Sequence, residues 1–239
     1  MPDVREPTTE ENERAAAEAR KFDAEARKAN AEAEAAEAEA AVAKLDLERA
    51  VEKRDRERHA DAYKDRTVVL GGVDPSSVSQ CMAKLDGWHR EDPECSITVT
   101  IDSPGGHVIP GFHLFDHILD LREQGHKIDT RTRGYAASMG GILLQAGETR
   151  SMGPNATLML HEVSFGASGK IGDVEDSVEF AKLLWNRALD IFAERCAGAS
   201  DEHATKKLGR RALDNRTSRK NWWVNAKDAL AFGLVDEIR

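Results

Sequence analysis

From Thr67 onward the sequence predicts an α/β fold in which a parallel sheet is covered by helices. Two observations carry this. Short β-branched runs alternate with amphipathic helical stretches, and Gly, Pro or Asp punctuates nearly every junction. "TVVLGGV" is a buried strand ending at Gly71 and Gly72. "DPSSVSQCMAKLDGWHRED" follows a Pro turn as an amphipathic helix, and "SITVTID" alternates as a strand. "SPGGHV" is a turn, and "IPGFHLFDHILDLREQG" is a helix closed by Gly125. "KIDTRTRG" is a strand, "SMGGILLQAG" a short helix closed by Gly147, and "ATLMLHEV" another strand. "GDVEDSVEFAKLLWNRALDIFAERCAG" is a long helix, with Val174, Val178, Ala181, Trp185, Ala188 and Phe192 at helical spacing. Leu183, Leu184, Leu189 and Ile191 add apolar positions beside that stripe, which predicts a second packing surface.

Residues 1–66 differ in kind. They are dominated by Ala, Glu, Lys and Arg, strong helix formers, with no Gly or Pro after Pro7. "AEARK" recurs at Ala17 and Ala24, one heptad apart, but the seam is mostly Ala with Phe22, Val42 and Leu45 as larger anchors. The expectation is a long N-terminal helix, about 75 Å for fifty residues, stable mainly against a partner. The domains are therefore 1–66, a charged helical extension, and 67–239, the globular body.

The whole chain carries a net charge of −9. That balance argues against general nucleic-acid binding, which needs clustered cations. No apolar run approaches the ~20 residues that span a bilayer. Cys81, Cys95 and Cys196 are odd in number, scattered and without a CxxC pair, which suits a reducing, cytoplasmic setting. His113 and His117, with Asp116 and Asp120, lack HExxH and a third ligand, so no metal is expected, and no cofactor. The basic run "KKLGRRALDNRTSRK" reads as a solvated helix and loop.

Three loops fall at strand ends, where sites gather in parallel sheets. "SPGG" follows strand 96–102, "AASMGG" follows strand 127–133, and His161 ends strand 157–161. Ser138 stands where a strand turns into a helix, so the unpartnered N–H groups and the helix dipole favour negative charge beside its hydroxyl. The Met139 N–H would face an oxyanion, Gly106 could supply a second donor, and His161 is the candidate general base. Taken singly, Ser138 reads as an N-cap, His161 as a buried satisfied histidine and "SPGG" as an ordinary turn. Their joint placement favours a nucleophilic site.

"IDSPGGHVIPGFHLFDHI", "GYAASMGGILLQAG", "PNATLMLHEVSFGASGKIGDVED" and the closing "WWVNAKDALAFGLVDEI" together resemble the proteolytic subunit of the Clp protease family. The resemblance runs from about Arg66 to Ile238 and implies a crotonase-like (ClpP-like) fold of repeated β-turn-α units. It implies a serine endopeptidase with Ser138 as nucleophile, His161 as base, and Gly106 with Met139 as oxyanion hole. It implies homo-oligomers, heptameric rings stacked around a closed chamber, joined through the helix from Asp173. Ser164, Phe165 and Gly166 would hold substrate as an added β-strand. Counting back from "AFGLVD" puts Asn221 where the family usually carries the triad aspartate. Asn can orient the ring without supplying charge, so either the enzyme is slow or an acid such as Asp214 substitutes.

Family members that dock an AAA+ unfoldase begin with a short hairpin, where this chain has its acidic extension. Peptidases resembling this family mature phage heads inside the prohead without an ATPase. The favoured reading is cleavage of scaffold or capsid protein during head maturation, in the host cytoplasm or prohead interior. The alternatives are an ATP-dependent housekeeping subunit, a weakly active or non-catalytic ring subunit, and an acyl-CoA enzyme of crotonase type, against which Ser138 with His161 speaks.

Overall fold

A computed structural model describes residues 20, 21, 25, 27, 28, 30, 39–51, 53 and 66–239. The chain divides into two compact units, Met1–Asp61 and Ala62–Arg239. In the first, residues 39–51 are helical, and Val42, Leu45 and Leu47 are exposed. Most of the expected N-terminal helix, including Phe22 and the start of both "AEARK" repeats, lies outside the described residues.

The second unit begins with β1 (Thr67–Leu70), α1 (Pro75–Glu91), β2 (Ser96–Ile101), α2 (Val108–Glu123) and β3 (Lys127–Thr132). There follow β4 (Tyr135–Ala137), α3 (Met139–Leu144), β5 (Arg150–Met152), β6 (Thr157–Leu160) and α4 (Ile171–Gly198). The last elements are α5 (Arg210–Thr217), β7 (Trp222–Asn225), α6 (Ala226–Phe232) and β8 (Glu237–Ile238). Asp74 caps α1, accepting from the Ser76 and Ser77 amides, with Pro75 at the first helical position.

The five-stranded sheet has the order β1-β2-β3-β5-β8, and every pair in it is parallel. A parallel sheet was the sequence expectation. A second sheet, β4-β6-β7, was not foreseen, and its β6–β7 pair is antiparallel. The strand expected over 127–133 ends at Thr132, and Tyr135–Ala137 passes into the second sheet. Three-residue strands such as β4 and β5 are too short to show a period of two, so the sequence leaves no pattern to read.

Alternation does its work in the long strands. Ile97, Val99 and Ile101 of β2 point into the core, together with Leu114, Phe115 and Ile118 of α2. From α4 the core takes Trp185, Ala188, Leu189, Phe192 and Cys196, while Phe180 and Leu183 stay exposed. Of the positions expected to form a second surface, Leu184 and Leu189 join the core and Ile191 packs against it, so the outward apolar face is Leu183 with Phe180, which the sequence pattern did not single out. All three cysteines are buried and unpaired. No helix among the described residues is long and apolar enough to cross a membrane.

Candidate active site

Three loops meet at the carboxyl ends of the strands because their backbones are stitched together. Ser103 N–H donates to Tyr135 O (2.8 Å), and Ala137 N–H donates to Ser103 O (2.9 Å). Val73 N–H donates to Gly105 O (3.0 Å), and His107 N–H donates to Val73 O (2.7 Å). Asp102 Oδ1 accepts the Tyr135 amide at 3.0 Å, tying the end of β2 to the start of β4. Glycine is required at the centre of this weave. Gly105 has φ +97°, and a Cβ there would stand 2.7 Å from Ser138 Cβ; Gly106 has φ +145°, and a Cβ would meet Val73 O at 2.1 Å. "SPGG" is therefore a close-packed cradle for the turn that carries Ser138, not an ordinary tight turn.

Ser138 has φ +53° and ψ −122°, a conformation that non-glycine residues rarely adopt. It is held there by Ser138 N–H donating to Met159 O at 2.8 Å. Such strain costs on the order of 1–3 kcal/mol and persists only where surroundings over-determine it. The alternative of Ser138 as a helix cap is not realised: its side chain makes no capping hydrogen bond. Ser138 is half-buried at this turn, at the start of α3. The Met139 and Gly106 amides donate to no group among the described residues, so neither is taken up by a protein acceptor.

Ser138, Met139, Gly106 and His161 line one cavity of about 70 Å³. Its wall is apolar, built from Val108, Ile142, Leu160, Val163, Trp185 and Phe192. The sequence marks Trp185 and Phe192 as one stripe of a core helix; that the stripe also walls this cavity depends on how α4 packs, which periodicity does not encode. Ser138 and His161 share the cavity without a hydrogen bond between them. His161 follows directly after β6 and is half-buried. Burial lowers its pKa, and the nearby Glu162 carboxylate opposes that shift. A lowered pKa keeps the imidazole neutral at pH 7, the form a general base needs.

A second cavity of about 360 Å³ opens beside His161, lined by Glu162, Ser164, Arg219, Lys220 and Asn221 among others. Asn221 is brought to the histidine's neighbourhood but makes no hydrogen bond to it. Asp214 lines neither cavity. Glu162 does, and its Oε2 accepts the Arg219 backbone N–H at 3.1 Å. This acid sits next to His161 in "LHEV", but no spacing or motif in the sequence marks it as part of a site. Of the substrate-holding trio, Ser164 lines both cavities, Phe165 is exposed and Gly166 stands in open space. Between β6 and α4 the main chain of residues 162–169 makes no backbone–backbone hydrogen bond among the described residues. Among them, no group of three His, Cys, Asp or Glu is arranged to hold a metal.

Compared with the models of known families, residues 51–239 match the one described as Clp protease. The match covers every strand and helix of the body and begins inside the charged extension.

Proposed function

The chain belongs to the Clp protease family, and from that premise we propose that it is a serine endopeptidase in which Ser138 attacks the scissile carbonyl. One observation carries this reading: a strained serine, two free amides and a neutral histidine line the same small cavity. His161 takes the Ser138 proton as the Oγ–carbonyl bond forms, and returns it to the leaving amine. Gly106 and Met139 N–H stabilise the oxyanion in between. The reacting pair closes to hydrogen-bond distance when substrate binds, as catalytic contacts in free enzymes often do. The unpaired main chain of 162–169, with Ser164, Phe165 and Gly166, accepts substrate as an added strand. The apolar wall behind Ser138 takes the preceding side chain. The test is a fluorophosphonate probe: it should label the purified protein on Ser138, and an unlabelled protein with the fold intact would sink the reading.

The body works in this proposal as a ring-forming subunit. Ile171, Phe180 and Leu183 expose apolar surface along α4, and a helix apolar on two faces has a second partner. Stacked heptamers with the extension as an arm suit a head-maturation peptidase acting on scaffold or capsid protein in the host cytoplasm or prohead. That finer assignment rests on the acidic extension standing where unfoldase-docking relatives have a hairpin. Deleting residues 1–60 should leave light-scattering mass in the multi-subunit range and keep cleavage of a short fluorogenic peptide within a few-fold. The same deletion should impair processing of the native protein partner. Lost peptide cleavage in intact rings would place the extension in the active site instead.

A further inference from the structure

The cavity beside His161 holds one carboxylate, Glu162, together with Asn221 and the cations Arg219 and Lys220. Resting on the peptidase reading above, we propose that Glu162 supplies the negative charge behind His161 that Asn221 cannot. Glu162 is a positioning residue here, acting through the imidazole and not on the substrate.

Three features of the site lead to it. Glu162 Oε2 accepts the Arg219 amide at 3.1 Å, so the carboxylate is anchored on the loop that carries Asn221, two residues before it. Glu162 and Asn221 line the same cavity as His161. Among the described residues, no Lys or Arg side chain forms an ion pair with Glu162, so its charge is not already neutralised by a salt bridge. A half-buried acid spends its field on whatever cation forms nearby, and the cation that forms in this reaction is the imidazolium. Asn221 then serves for orientation and Glu162 for charge, dividing between two residues what one aspartate would do. The electrostatics agree in sign: burial lowers the His161 pKa, and Glu162 raises it. Arg219 and Lys220 are the cavity's opposing charges.

The test is a mutant cycle on the full chain, read with a short fluorogenic peptide. Glu162→Gln should lower kcat by about tenfold, a part of what a positioned general base contributes, with KM little changed. It should also move the acid limb of the kcat/KM profile to lower pH, because the group that raised the His161 pKa is gone. A purely structural loss would lower the rate without moving that limb. Asn221→Asp should recover most of the loss in the Glu162→Gln background and gain less in the wild type, because the two acids then share one task. Glu162→Asp keeps the charge and should hold the limb near its wild-type position, whether or not Glu162→Gln assembles. The inference is overturned if Glu162→Gln keeps the wild-type rate and limb, if Asn221→Asp gains equally in both backgrounds, or if Glu162→Asp shifts the limb to lower pH. A wild-type protein that neither cleaves peptide nor takes the fluorophosphonate overturns the peptidase reading, and this inference with it.

Discussion

Ser138→Ala is expected to lower peptide hydrolysis by at least about a thousandfold, the scale on which removing a nucleophile acts. Folding and assembly should survive. The Ser138 side chain makes no capping hydrogen bond and is half-buried, so losing its oxygen orphans no partner. Alanine also keeps the Cβ, which leaves the backbone strain at φ +53° unchanged. Stability should therefore stay within about 0.5 kcal/mol, as for a substitution that breaks no buried contact. Ser138→Gly separates strain from chemistry. It should be equally inactive but more stable by about 1 kcal/mol, because glycine adopts this conformation freely. Rates come from a fluorogenic peptide and stabilities from urea midpoints at fixed protein concentration. A Ser138→Ala protein that hydrolyses near the wild-type rate would remove the nucleophile from the proposed mechanism.

The sequence made the placement of this residue legible, though not its geometry. Ser138 among small residues after a strand marks an exposed turn, and two glycines in "SPGG" mark a backbone that passes close to something. That the second structure is the first one's neighbour follows from parallel topology, in which successive strands end at one edge. The long elements were equally legible, because β2 and α4 carry enough residues to show their periods. The second sheet was not. Tyr135–Ala137 reads as the loop after β3, and its becoming a strand depends on pairing with β6, about twenty-two residues on. The adjacent Trp222 and Trp223 look alike in sequence, yet only one of them is a packing anchor. Trp222 packs on Phe232 with Arg216 stacked over both rings, while Trp223 is exposed on β7. Glu162 escaped notice for a related reason. Sequence distance to the presumed triad position is large, and the chain closes that gap through the 219–221 loop.

Asp236→Ala is expected to destabilise the body by about 3–5 kcal/mol, the cost of leaving a buried charge without its partner. Arg150 is 1% exposed, yet its guanidinium is fully engaged. Nε donates to Asp236 Oδ2 at 2.9 Å, and Nη1 donates to Gln145 Oε1 at 2.7 Å and Gly233 O at 3.0 Å. The Arg150 backbone amide donates to Asp236 as well, at 2.8 Å. These bonds join β5 to the chain just before β8, the edge strand of the main sheet. Removing the carboxylate leaves Arg150 in the core with Arg195 nearby, whose own pKa burial and Arg150 already depress to about 10. Burial pushes the Asp236 carboxyl up, but bonding to Arg150 outweighs it, and its pKa lies below the ordinary 3.8. The pair's contribution is therefore complete above the unfolded pKa and is lost as pH falls through the folded one. Urea unfolding at neutral pH should show the full deficit of Asp236→Ala, and the gap from wild type should narrow steadily below about pH 4. Equal neutral-pH midpoints for the two proteins would mean that the edge strand is held by its backbone ladder and apolar contacts alone. Arg150 opens β5, at the amino end of a strand, whereas Gly106 and Ser138 sit past the carboxyl ends of theirs. The fraction of Asp236→Ala that remains folded should accordingly keep its kcat, which separates this loss from that of the nucleophile.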